Sequence, residues 1–331
     1  MNTFTFIDLF CGIGGFRLAM ENVGGVCVFS SDKSKRARET YLANFHEIPS
    51  GDITKIAAEN IPSFDVLCGG FPCQPFSMAG RKRGFEDKRG QMFFEIVRIV
   101  KHHRPKVLFL ENVAHLIKHD SGRTFQVITE TLDSLGYDVH YKVLKASDYG
   151  VAQIRRRVYI VCFRKDLNVE FSFPEPTFED IAVEDFLEKD VDEKYFIDTS
   201  LITFYKPDIR DRILDTYRLG YIGTLGQGRR VYSVKGASPT FVVASRGPCS
   251  STEAYLINGK VRRLTPGEAK RILGFPDNFI FPVTDEKALE LLGNSVAVPV
   301  LKCIAEQIMA TGIFENPDIL VNCQDEHERA S

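Results

Sequence analysis

Phe64-Asp65-Val66-Leu67-Cys68-Gly69-Gly70-Phe71-Pro72-Cys73-Gln74-Pro75-Phe76-Ser77 is the stretch on which the reading of the chain turns. Phe64 to Cys68 is a short, largely apolar run that reads as a buried strand. Two glycines and two prolines then stop the strand and stiffen the turn after it. A cysteine held in that turn sits at the carboxyl edge of a sheet, where open α/β sheets bind ligands. The ordinary fate of a cysteine is to be a small buried apolar residue. Here the prolines fix its backbone, and Gln74 and Ser77 after it are polar. An acid, Glu111, and an arginine cluster, Arg155 to Arg157, follow later. Nucleophile, acid and cationic clamp are what covalent catalysis on a polar ring requires.

Upstream of this stretch, Thr3 to Phe10 reads as a strand, Cys11-Gly12-Ile13-Gly14-Gly15 as a glycine turn, and Phe16 to Val23 as a helix. Strand, glycine turn and helix open a nucleotide-type α/β fold. The turn is compatible with NAD, with S-adenosylmethionine or with a plain tight turn. Val26 to Ser30 is a second strand with Asp32 at its end, placed to bond ribose hydroxyls or to cap the next helix. Gly51-Asp52-Ile53-Thr54 is a second acidic turn, able to bond an adenine amino group or to cap a helix.

Downstream, Gly80 to Gly90 is a candidate lid carrying Arg81, Lys82, Arg83, Lys88 and Arg89. Met92 to His103 reads as an amphipathic helix. The strand Lys106 to Val113 ends in Glu111-Asn112-Val113, where a carboxylate after an apolar run needs a partner or a task. Thr124 to Leu135 is a helix; Tyr137 to Leu144 and Arg157 to Phe163 are strands. Strand alternation puts Arg155 and Arg157 on one face. Phe173-Pro174-Glu175-Pro176-Thr177-Phe178 is a composition break. Beyond it the pattern is irregular and β-like, with basic loops at Gly226 to Arg230 and Ala244 to Gly247. Thr265, Pro266 and Glu268 form a helix start for Leu264 to Leu273. Leu291 to about Met309 reads as one final apolar helix.

The 331 residues are 44% hydrophobic and 26% charged, enough for a packed large domain plus a smaller one. The net charge of −2 argues neither for nor against nucleic acid, but its distribution is uneven. Arg210 to Arg271 holds 12 Lys/Arg against 4 Asp/Glu, and Arg81 to Gly90 holds 5 against 2. Such patches suit phosphate binding on one face, or a solvated surface. The 8 cysteines form no C-x-x-C pair, so a structural zinc site is not expected and a reducing, cytoplasmic compartment is. Met1-Asn2-Thr3-Phe4 shows no secretory leader. No apolar run approaches the roughly 20 residues that span a bilayer.

Six motifs, in order, resemble those of the bacterial cytosine-5 DNA methyltransferases. They are Phe6 to Gly15, Gly70-Phe71-Pro72-Cys73-Gln74, Glu111-Asn112-Val113, Gln153-Ile154-Arg155-Arg156-Arg157, Arg263-Leu264-Thr265-Pro266 and Gly293-Asn294-Ser295. The resemblance covers nearly the whole length. It implies an α/β, Rossmann-like S-adenosylmethionine-dependent domain over residues 1–180 and a smaller, irregular β-rich target-recognition domain over 181–285. A C-terminal segment, 286–331, would return to the first domain. It further implies double-stranded DNA as substrate, a monomer, and no membrane or metal, and either a restriction system with a separately acting cognate endonuclease or an orphan methylase without one.

By the same resemblance Cys73, Glu111, Arg155 and Arg157 are catalytic. Phe10, Gly12, Gly14, Asp32, Asp52, Ile53, Pro72, Met92, Asn294 and Ser295 hold the cofactor. Gln74, Ser77, Arg81, Gln227, Arg229, Arg230 and Thr240 contact DNA, with Gln227 and Thr240 supporting the space left by a flipped base. Lys33 departs from the pattern: the family more often has a large apolar residue there, although a lysine stem can cover an adenine face. The main rival, a tRNA cytosine methyltransferase, usually carries Cys-Phe-Thr, and the only Cys-Phe pair here is Cys162-Phe163-Arg164. A non-catalytic relative would not need Cys73, Glu111 and Arg157 intact. An NAD oxidoreductase would leave Cys73 unexplained.

Overall fold

Apolar runs with few breakers make strands that are buried on both faces, and such strands pair in parallel beneath helices. β1 (Phe4–Leu9), β3 (Val66–Gly70) and β4 (Val107–Val113) are such strands, joined by β2 (Gly25–Ser31), a half-buried edge strand, and by β7 (Arg156–Arg164), buried but antiparallel. With the more exposed β5 (Tyr137–Lys145) they form one six-stranded sheet of order β2-β1-β3-β4-β7-β5. The computed structural model describes residues 3–72, 91–205, 215–224, 229–241 and 253–315. Cys73, Gln74, Ser77, Arg81, Gln227, the expected lid and the Ala244 to Gly247 loop lie outside the described residues.

The pairings β1 with β2, β1 with β3 and β3 with β4 are parallel; β7 runs antiparallel to both β4 and β5. The chain moves outward from β1 to β2 and then returns to the other side of β1 as β3. That reversal opens a crevice at the carboxyl ends of β1 and β3.

Alternating side chains serve two cores. Phe4, Phe6, Cys68, Phe109, Val161 and Phe163 pack against α1 (Gly15–Asn22) and α7 (Val298–Ala310). Ile7, Leu9, Leu67, Leu108, Leu110 and Ile160 pack against α3 (Gln91–His103) and α4 (Arg123–Ser134). Each such side chain, fully buried, contributes about 1.5–3 kcal/mol. Between β2 and β3 runs α2 (Lys35–Phe45), capped by Ser34, whose Oγ accepts from the N–H of Ala37.

A second, five-stranded sheet has the order β13-β12-β10-β9-β8. Its members are β8 (Ile202–Phe204), β9 (Arg218–Ile222), β10 (Arg230–Ser233), β12 (Ala254–Ile257) and β13 (Lys260–Arg263). Two-residue strands β6 (Gln153–Ile154) and β11 (Ser238–Pro239) pair in parallel and stitch this region to the first sheet. The expected capping box at α5 (Pro266–Ile272) is present. Glu268 also takes a bidentate ion pair from Arg262, at 2.8 and 2.6 Å, with both side chains buried.

The final apolar helix differs from the sequence reading. It is two helices, α6 (Asp285–Asn294) and α7, broken at Ser295 to Ala297. Pro299 sits in the first turn of α7, where its missing N–H costs nothing and its ring forbids a helix running through from α6. Among the described residues Asp285–Ala310 is also long and apolar enough, by length and composition, to cross a membrane, which the sequence reading did not expect. In the fold its Leu289, Leu292, Leu301, Ile304 and Ile308 are core residues.

Candidate active site

The crevice at the strand reversal is a cavity of about 450 Å³. Strand ends build it. Phe10 follows β1, Asp32 follows β2, Gly70 to Pro72 close β3, and Glu111 to Val113 close β4. Of the sequence-predicted residues, Phe10, Gly12, Asp32, Asp52, Ile53, Pro72, Met92, Glu111, Arg155, Arg157, Asn294 and Ser295 all line it.

The glycine turn is held from below. Asp32 accepts from the N–H of Gly12 at 2.9 Å and from the N–H of Ser34 at 2.7 Å. Burial raises its pKa, and those two N–H donors oppose the rise. Gly12 has φ +55° and open space where a Cβ would stand, so backbone can approach a ligand there. Gly14 does not line the cavity. It is the left-handed N-cap of α1, and a Cβ on it would lie 2.2 Å from the ring of Phe45, so its task is packing. Asp52 accepts from the backbone and hydroxyl of Thr54, which lower its pKa, and Lys33 lines the cavity mouth beside both acids.

On the opposite wall, Glu111 Oε1 meets Arg157 Nε at 2.9 Å. Burial pushes the Glu111 carboxyl upward, and Arg157 and then Arg155 pull it back; the net direction is up. Asn112 donates to the carbonyl of Phe71 at 2.8 Å, tying the acid strand to the turn that leads into Cys73. Arg155 is turned away from ring-binding work: its Nη1 and Nη2 each lie 3.3 Å from the carbonyl of Gly293, and Nη2 also donates to Ser295 O.

Just after β11, Thr240 Oγ1 donates to Ile154 O at 2.5 Å, next to the arginine segment. Arg229 is exposed and donates to Thr224 Oγ1 at 2.6 Å. Arg230 faces Glu253, which accepts from its N–H at 2.9 Å and lies 3.9 Å from its Nη1. Sequence reasoning missed the wall residues Phe16, Ala37, Asn112 and Val296. Asn112 carried a signal, since it adjoins Glu111 at a strand end; the others look like ordinary core.

A mixed α/β sheet with a strand-reversal cavity that pairs a buried carboxylate with an arginine defines the class, and comparison with known proteins gives the family. The model of C-5 cytosine-specific DNA methylases matches residues 4–310. The type II methyltransferase M.HhaI of Haemophilus parahaemolyticus is 45% identical over 305 residues, 92% of this chain and 93% of that one. The type II methyltransferase M.DsaV of Dactylococcopsis salina is 42% identical over 312 residues, 92% and 86% of the two chains. The crystal structure of S. pombe Dnmt2 methyltransferase shares the fold, with a TM-score of 0.72 at 19% identity over 93% of this chain and 99% of that one. The chain belongs to the C-5 cytosine-specific DNA methylase family and is a DNA (cytosine-5)-methyltransferase. That family favours DNA over the tRNA alternative.

Proposed function

We propose that the chain methylates carbon 5 of cytosine within a short specific duplex sequence, through a covalent adduct of Cys73 with a flipped-out base. The observation that carries this reading is the convergence in one cavity of Glu111, Arg157 and the strand-end residues suited to a nucleoside. A cavity of this size accommodates a ligand such as S-adenosylmethionine. Gly12 leaves room for close backbone approach. Asp32 and Asp52 would serve the ribose hydroxyls and the adenine amino group, with Phe10, Ile53, Pro72 and the stem of Lys33 around the ring, and Asn294, Ser295 and Met92 completing the site. When bound, S-adenosylmethionine supplies an electrophilic sulfonium methyl group.

The residues then divide the work. The Cys73 thiolate adds to carbon 6 of the ring and raises electron density at carbon 5, the atom that is methylated. Glu111, its pKa raised, holds a proton for ring nitrogen 3 and stabilises the charge that develops there. Arg157 donates to the ring carbonyl and restrains Glu111. Loss of the carbon 5 proton and expulsion of Cys73 restore aromaticity. A stacked base cannot reach these groups, so the target is flipped out. Gln227 and Thr240 would support the vacated space, and Gln74, Ser77, Arg81 and Arg229 the duplex, while Arg230, expected there too, is held by Glu253.

The division of the chain at about residues 180 and 285 is part of this reading. The enzyme would act as a cytoplasmic monomer, either as the modification component of a restriction system or alone. The test is transfer of tritiated methyl to unmethylated duplex DNA and, in parallel, to bulk tRNA, followed by bisulfite sequencing. Label at carbon 5 of cytosine within one short DNA motif is expected. Label on tRNA alone would overturn the reading.

A further inference from the structure

Two cations and one carboxylate meet on the target wall, and the second cation is spoken for elsewhere. Arg155 is 2% exposed. Its terminal nitrogens hold the carbonyls of Gly293 and Ser295, the turn that carries Asn294 and Ser295 into the cavity. Two residues on, Arg157 holds Glu111. Just past the turn, Val296 packs closely on the glycine turn: a Cβ on Gly15 would lie 2.3 Å from its Cγ2. Behind it, Val298 N–H donates to Leu273 O at 3.0 Å.

A buried guanidinium without acceptors is strongly disfavoured. If the 293–295 turn shifts, Arg155 loses its carbonyls, and Glu111 is the anion within electrostatic reach. Arg155 then competes with Arg157 for Glu111. When the turn is held, Arg155 stays on the carbonyls and Glu111 serves Arg157 and the base.

We propose that Arg155 is a positioning residue that couples occupancy of the cofactor turn to the alignment of the Glu111–Arg157 pair. The proposal rests on the cofactor and target assignments above. Coupling of this kind is reciprocal: the cofactor strengthens target binding by the factor with which the target strengthens cofactor binding.

The test uses the full-length protein, S-adenosylhomocysteine as the cofactor-site probe, and a duplex containing the methylated motif. In the native enzyme S-adenosylhomocysteine is expected to tighten duplex binding by roughly 5- to 150-fold, the usual span of such coupling. In Arg155→Lys, which keeps the charge but loses the fork, the factor is expected to fall toward one. A purely structural role would weaken both ligands and leave the factor intact, and that result overturns the proposal.

Should the variant misfold, hydrogen exchange on the native enzyme decides. S-adenosylhomocysteine alone should slow exchange in residues 153–157, and duplex alone in 293–298. Protection confined to each ligand's own segment overturns the proposal. Failure of the underlying reading looks different: the native enzyme would not bind S-adenosylhomocysteine, or would not label carbon 5.

Discussion

Glu111 and Arg157 stand on adjacent antiparallel strands with Oε1 and Nε 2.9 Å apart, and the carboxyl's pKa is nonetheless raised. Burial therefore outweighs the ion pair, which suits the proton-donating role proposed for Glu111. Arg157 lowers the Glu111 pKa, so removing that charge moves it further up. In Arg157→Gln the single-turnover rate should fall, and the limb on which activity is lost with rising pH should shift to higher pH. A limb that stays in place would separate the two residues. Glu111→Gln should slow methyl transfer by about 10²- to 10⁴-fold, the range for a positioned acid.

Cys73→Ala should abolish methyl transfer while leaving duplex binding largely intact, because the proposed thiolate attack is on the ring and not on the backbone. Gel-shift affinity and tritium transfer measured on the same preparation check this. Turnover in that variant would remove the covalent route.

Gly12 and Gly14 both have positive φ, but a new Cβ meets nothing at one and an aromatic ring at the other. Gly12→Ala should cost about 1–2 kcal/mol of stability from its left-handed backbone and lose cofactor affinity. Gly14→Ala should lose more stability, because Phe45 must move as well. Urea unfolding, set beside calorimetric titration with S-adenosylhomocysteine, distinguishes the two.

Arg229 is exposed, whereas Arg230 is engaged with the buried Glu253. If Arg229 meets a phosphate, Arg229→Ala should reduce the slope of log affinity against log salt by about 0.9. Arg230→Ala should leave the slope nearly unchanged and lower the melting temperature. Equal slopes for Arg229→Ala and the native protein would take Arg229 off the DNA.

Arg262 and Glu268 form a bidentate pair at 3% and 0% side-chain exposure. Removing one partner strands a buried charge, so Arg262→Met should destabilise by roughly 3–5 kcal/mol, read by urea denaturation. Methyl-transfer activity at low temperature should persist in whatever fraction remains folded.

The strand ends were legible because buried strands are apolar runs and a polar residue closing one is conspicuous. Asp32 and Glu111 were found in this way, and they do share a cavity, with Phe10, which only the family resemblance had pointed to. The capping box at Thr265 was legible because its whole geometry lies within four residues. Contacts remote in sequence were not. Alternation put Arg155 beside Arg157, but nothing local says that its nitrogens reach carbonyls 138 and 140 residues away. Arg230 read as a free basic residue because Glu253 is 23 positions on. The α6–α7 break was hidden by continuous apolar composition, although Pro299 was a usable signal. Gly14 read as a ligand contact because a glycine that receives an aromatic ring looks the same in sequence as one that receives a cofactor.

The walls of the cavity come from residues near 10, 32, 53, 71, 111, 155 and 294. A ribosome therefore releases the first wall long before the last. At a typical synthesis rate of about 5–20 residues per second, the glycine turn waits on the order of 15–60 s for Asn294 to emerge. Until then the crevice lacks one side. The cavity therefore closes only once the residues around Asn294 have joined those near Gly12.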